Sequence, residues 1–126
     1  MSGLKYVLSL VVLCVVHVSI AQAKFSVEKA VHKFPTTQEG KMLSHEFKIT
    51  NSGNAPLIIN DYEVGCPCTK VILPEAPILP GETIDLKVTF DTKGKYYFQD
   101  RTIYLMTNTK KKKHAIRIKV KVIPAE

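Results

Sequence analysis

Cys66 and Cys68 are the side chains of this sequence best suited to chemistry, and only Pro67 separates them. Cys14 is the one other cysteine, and it lies in a leader that reads as removable. Three uses of the pair stay open. They are half-buried thiols packed at a strand end, a Cys66–Cys68 disulfide with a structural or redox role, or a thiolate site for a soft metal. Of the metals, Cu(I) fits better than Zn²⁺, since two thiolates satisfy copper whereas zinc takes four ligands. Otherwise no cofactor is expected. A bond within a straight strand is resisted, because two extended residues span about 6.6 Å, near the upper limit for a disulfide. Gly65 and Pro67 predict a bend that shortens this span. A ring so small would be strained and easily reduced. His32, His45 and His114 stand apart in the sequence, and none lies two or four residues from the pair. Each reads as a surface or core residue.

The second group with chemical potential is basic. Lys110, Lys111, Lys112 and Lys113 form a run at a break between two strands, and Arg117, Lys119 and Lys121 alternate along the strand that follows. One reading is a solvated loop and a charged edge that blocks sheet-to-sheet aggregation. The other is a docking patch for an anionic envelope component or an acidic partner protein. Nucleic acid is not expected as a partner, because no aromatic platform interleaves with the lysines and the chain reads as exported. Catalytic patterns are missing. The sequence has no Gly-x-Ser-x-Gly elbow, no His-Glu-x-x-His helix and no phosphate-binding loop. Its acidic residues are dispersed, so no pair is assigned to acid–base work, and an enzyme is not expected.

These residues must be held by a small fold. The chain has 126 residues and a net charge of +7. At 45% hydrophobic and 23% charged it has globular composition, and it is long enough for one core but not for two layered enzyme domains. Met1–Lys5 supplies one positive charge, Tyr6–Ile20 is almost wholly apolar, and Ala21-Gln22-Ala23 offers small residues where a signal peptidase reads them. The apolar run is shorter than the roughly 20 residues that span a bilayer. Residues 1–23 therefore read as a signal peptide cut after Ala23, residues 24–126 as the domain, and the mature chain as free of a transmembrane segment. Export by the general secretory route follows, to the periplasm or beyond. Leu13 before Cys14 argues against a lipid anchor.

Period-two alternation dominates the domain. Phe47 and Ile49 share one face of a strand. Ile84, Leu86, Val88 and Phe90 share another, as do Ile103 and Leu105, and Ile116, Ile118, Val120 and Val122. Strands of this kind cover a core on one side and meet water on the other. Turn chemistry separates them: Asn51–Pro56, Leu79-Pro80-Gly81-Glu82, Asp91–Gly94, and the stretch from Asn108. Pro80-Gly81 suits a type II turn, where only Gly takes the positive φ cheaply. About seven short strands so spaced predict an all-β antiparallel sandwich.

The ordered series Phe47–Ile59, Cys66-Pro67-Cys68-Thr69, Pro77–Glu82, Phe90-Asp91-Thr92, Gly94 and Thr107-Asn108 resembles the bacterial exported family known as domain of unknown function 1573 (DUF1573). The resemblance runs from about Phe25 to Ile123. It implies an immunoglobulin-like sandwich, similar to the ASPM/Hydin-like and major-sperm-protein modules, and brings no activity with it. The family usually has Gly between the two cysteines, where this chain has Pro67; proline fixes φ and removes an amide donor. The function expected from all of this is a non-enzymatic, exported module that binds or scaffolds in the bacterial envelope, by accepting a partner's strand at an open sheet edge. The alternative is a thiol-redox or copper-binding envelope protein using Cys66 and Cys68.

Overall fold

The computed structural model describes residues 20–125. The export segment expected over residues 1–23 lies outside the described residues as far as Ser19. Among the described residues nine strands form: β1 (Phe25–Val27), β2 (Val31–Lys33), β3 (Thr37–Gln38), β4 (Met42–Asn51), β5 (Ile59–Val64), β6 (Thr69–Val71), β7 (Thr83–Asp91), β8 (Tyr97–Thr107) and β9 (Lys113–Ile123). They make two sheets. One has the order β1-β4-β7-β6 and the other β2-β9-β8-β5, with β3 also on β9. The chain is an all-β sandwich, as the alternation predicts.

The inward faces are those read from the sequence. Phe47, Ile49, Leu86, Val88 and Phe90 from the first sheet meet Ile103, Leu105, Ile116, Ile118, Val120 and Val122 from the second, all nearly or fully buried. Removing that much aliphatic and aromatic surface from water is the main stabilising term. The long β4, β7, β8 and β9 are paired antiparallel throughout. The departure from a purely antiparallel sandwich is β2 and β3, which run parallel to β9. They are too short, at three and two residues, to show a period in the sequence. The segment after β1 carries the chain from one sheet to the other.

The turns follow their residue chemistry. Glu82 N donates to Leu79 O at 2.9 Å across Pro80-Gly81, and Gly81 has φ +79°. That is the positive φ a type II turn requires at its third residue. The Asn51–Pro56 connection is organised by Asn51, which is fully buried. Its Oδ1 accepts from Gly53 N (2.9 Å) and Lys24 N (3.3 Å), and its Nδ2 donates to Ala55 O (2.7 Å) and Ile78 O (2.9 Å). Asn108 does similar work at the other sheet: its Oδ1 accepts from Ile58 N (2.8 Å) and its Nδ2 donates to Pro56 O (3.0 Å).

Candidate functional site: an open strand edge and its surroundings

The sheet edges differ in how they are closed. β5 is guarded: its pairing with β8 shifts register between Ile59 and Asp61, and it carries Asp61 and Glu63. A bulge and charges are the usual devices that keep an edge strand from pairing further. β4 is different. β1 pairs only with Ile49, Thr50 and Asn51. One further bond, from Glu28 N to Lys48 O at 3.3 Å, extends that pairing by a residue. Beyond it, among the described residues, no strand lies against the Met42–Phe47 stretch on that side.

The direction of the free groups follows from the register. Asn51 N donates to Glu82 O and Lys41 O accepts from Thr92 N, so odd-numbered residues of β4 turn their backbone toward β7 and its neighbourhood. Lys48 O faces β1 instead. With a period of two, the N–H and C=O of Glu46 and Ser44 therefore point out of the sheet. A pocket lined by Glu28, Lys29, His45, Glu46, Phe47 and Lys48 opens at this place. The edge thus combines unpaired backbone groups with a depression beside them, which is what a peptide added as a further strand requires.

A histidine pair closes the inner side of the seam. His32 on β2 stacks on His45 on β4, with ring centroids 3.5 Å apart and planes 7° from parallel. Phe34 meets the edge of His32 at 4.6 Å, and Phe47 meets the edge of His45 at 4.7 Å. Sequence reasoning missed this pair. Its signal was the shared period of two in His32-x-Phe34 and His45-x-Phe47, which puts each imidazole on the inward face. Partial burial lowers the pKa of both, His32 further through Lys29 and His45 further through His32, while Glu46 raises His45. His114, stacked on Phe25 at 4.3 Å, is lowered by burial and by Lys111, against a backbone hydrogen bond that raises it. Each folded-state value thus lies below the ordinary 6.5. In the window beneath 6.5 the unfolded chain binds protons that the folded chain refuses. Stability is therefore present above that value and is lost as pH falls through the window. Thermal melts near pH 7.5 and about pH 5 should show the lower melting temperature in acid, and His45→Gln should narrow the gap. A melting temperature that does not fall in acid would contradict this reading.

Cys66 and Cys68 are joined as a disulfide at the turn between β5 and β6, with Cα atoms 5.2 Å apart. Thr69 N donates to Cys66 O at 3.1 Å, so the chain bends here, and the span is shorter than that of an extended strand. Bonded to each other, the sulfurs offer no thiolate to Cu(I) or Zn²⁺. Among the described residues no three of His, Cys, Asp and Glu gather in a metal-holding group. Cys66 lines a cleft with Gly65, Asp100, Arg101, Thr102 and Tyr104. The buried Nε of Arg101 has no hydrogen-bond partner among the described residues.

The seven basic residues of the expected patch do not gather. Lys110, Lys111 and Lys112 are exposed at the tip of the β8–β9 hairpin, while Lys121 pairs in register with Phe98 near its other end. The eight residue steps from Lys113 to Lys121 span roughly 26 Å. Lys113 bonds Glu63 at 3.2 Å, and Arg117 is ion-paired with Asp100. That hydrogen bond from Arg117 is the main reason the Asp100 carboxyl lies below the usual range, with Lys119 and Arg101 adding to it. Lys121 sits 5.6 Å over the ring of Phe98, itself strongly exposed. No helix among the described residues is long and apolar enough to cross a membrane.

A two-sheet sandwich in which the chain changes sheet near its start, with one long strand left open along half an edge, is an immunoglobulin-like β-sandwich module. The chain belongs to the DUF1573 family of proteins of unknown function, whose profile matches residues 25–122. No curated protein matches it. Among solved structures it is similar to a protein of unknown function from Porphyromonas gingivalis W83, with TM-score 0.71 and 16% identity over 86% of this chain and 51% of that one. It is also similar to an ASH/PapD-like domain of human CEP192, with TM-score 0.64 and 12% identity over 90% of this chain and 95% of that one. A third likeness is to the VesB protease of Vibrio cholerae, with TM-score 0.61 and 17% identity over 79% of this chain and 32% of that one. The chain thus spans about half of the first of these proteins and a third of the protease. At such identities the likeness concerns the fold.

Proposed function

We propose that the chain is a non-enzymatic, exported binding module of the bacterial envelope that takes a partner's extended peptide as an added strand along β4. The observation that supports this reading is the unpaired outer edge of Met42–Phe47 beside its pocket. Backbone hydrogen bonds from Ser44 and Glu46 would supply affinity, and the pocket would supply selectivity. The test is Glu46→Pro. Its missing N–H faces away from β7, so the variant loses no bond of the β4–β7 ladder, and proline is tolerated on an edge. Extended peptides selected from a random library against the native protein should bind the variant at least about tenfold more weakly, the worth of one lost hydrogen bond. Unchanged affinity in a variant of unchanged melting temperature overturns the reading.

The thiol-redox alternative draws on the placement of Arg101, a cation that favours a thiolate on Cys66 once the bond is reduced. The same peptides decide between the two. Binding that survives Glu46→Pro but disappears in the Cys66→Ser, Cys68→Ser double variant transfers the function to the cysteines.

A further inference from the structure

We infer that the export peptidase cuts between Ala21 and Gln22, so that the mature chain keeps Gln22 and Ala23 as the first residues of its fold. This rests on the reading of the chain as exported. Two frames offer small residues at the two positions a signal peptidase reads: Ala21 with Ala23, and Ser19 with Ala21. The sequence alone gives no reason to prefer the second. The fold does.

Packing begins at Gln22. Its N–H donates to Asn54 Oδ1 at 2.7 Å, and its carbonyl accepts from Asn54 N at 2.9 Å. Ala23 is buried and belongs to the core cluster. Lys24 N donates to Asn51 Oδ1, and Lys24 O accepts from Ser52 N at 3.0 Å. Gly53 shows the same thing from the other side. A Cβ on this residue would lie 2.1 Å from Gln22 O, 2.7 Å from Lys24 N and 2.9 Å from the Ala23 carbonyl carbon. Its three nearest neighbours thus all come from Gln22–Lys24, and two of the three from residues that a cut after Ala23 removes. Ile20, Ala21 and Gln22 are all exposed, so it is the two-bond pairing with Asn54, followed by the burial of Ala23, that makes Gln22 the first residue held by the fold. The boundary between chain that packs and chain that does not falls at the Ala21–Gln22 bond.

A cut after Ala23 would leave Asn54 without either backbone partner and open the core where Ala23 sits. It would also put a charged terminal ammonium at Lys24, beside the buried Asn51. Hydrolysis of the Ala21–Gln22 bond by water leaves a carboxylate on the released leader and an amine on Gln22. That amine still faces Asn54 Oδ1.

The full-length chain, exported by a bacterium with its own leader and recovered from the envelope fraction, is read by intact mass and N-terminal sequencing. A start at Gln22 is expected, with or without loss of one ammonia on cyclisation of the terminal glutamine. A start at Lys24 overturns the inference while leaving export standing. A chain still beginning at Met1 overturns both. Any other start overturns the inference alone. A second measurement compares purified chains made to begin at Gln22 and at Lys24. The longer chain should melt about 5–15 °C higher, on the scale by which a domain of this size responds to lost packing and hydrogen bonds. Gly53→Ala should cost more in the longer chain, where Gln22 O is present to collide with the new Cβ. Equal melting temperatures would remove the ground for the inference.

Discussion

Phe47→Ala should destabilise the domain by about 3–5 kcal/mol, the range for deleting a fully buried aromatic ring. Phe47 is among the largest fully buried side chains, only 1% exposed. It lies on β4 opposite Leu86 of β7, also fully buried, and its ring meets His45 edge to face. The cavity left by the ring has little means of collapse, because β4 is tied along its whole length to β7 and the ring belongs to one buried core cluster drawn from both sheets. The loss also takes away one wall of the pocket beside the open edge and the partner that holds His45 in its stack. Urea unfolding followed by circular dichroism measures it. Lys111→Ala, at the solvated hairpin tip, should change stability by under about 0.5 kcal/mol. Equal midpoints for the two variants would show that the inward face of β4 has been assigned wrongly.

Asn51→Ala is the second large effect, expected at about 2–4 kcal/mol although the residue is polar and sits in a turn. Its amide is fully buried and bonds four backbone groups, which belong to the residue before β1, to the turn after β4 and to the segment before β7. Removing it leaves Gly53 N, Lys24 N and Ala55 O without that partner. A buried backbone group left unpaired costs about 1–3 kcal/mol, and water entering the space recovers part of the sum. Asn51→Asp should be nearly as costly, because a carboxylate keeps the two acceptor contacts but has no N–H for Ala55 O and Ile78 O. Melting temperatures of the two variants check this. If Asn51→Asp melts with the parent protein, the donor side of the network is not what holds the turn.

Much of the architecture was legible because the long strands obey one rule. In β4, β7, β8 and β9 the alternating aliphatic and aromatic positions read from the sequence, such as Phe47, Leu86, Leu105 and Ile118, are the buried ones, while Met42, Phe98 and Ile123 towards the strand ends stay exposed. Pro80-Gly81 likewise announced its own turn. What the sequence concealed has two physical causes. β2 and β3 are too short for any period, so their parallel run on β9 is fixed by tertiary pairing alone. The site, in turn, depends on contacts between distant positions. His32 and His45 meet because opposite sheets present them to one seam, and Asn51 reaches Lys24 and Ile78 across 27 residues in each direction. The basic residues show the converse. Alternate residues of one strand share a face, but a long strand spreads them over its length, and acids on β8 and β5 take two of them. The cysteines were left open between thiol, disulfide and metal, and the bend at Pro67 brings them within bonding reach.

The dependence of β2 and β3 on β9 has a kinetic consequence. A polypeptide made from its N-terminus presents β2 and β3 long before Lys113–Ile123 arrives to receive them, so the second sheet cannot close until β9 is free. Pairings between the two ends of a chain form slowly, because the loop between them must be closed first. The domain therefore stays open for as long as β9 is withheld, and that strand acts as the latch that commits it to the folded state.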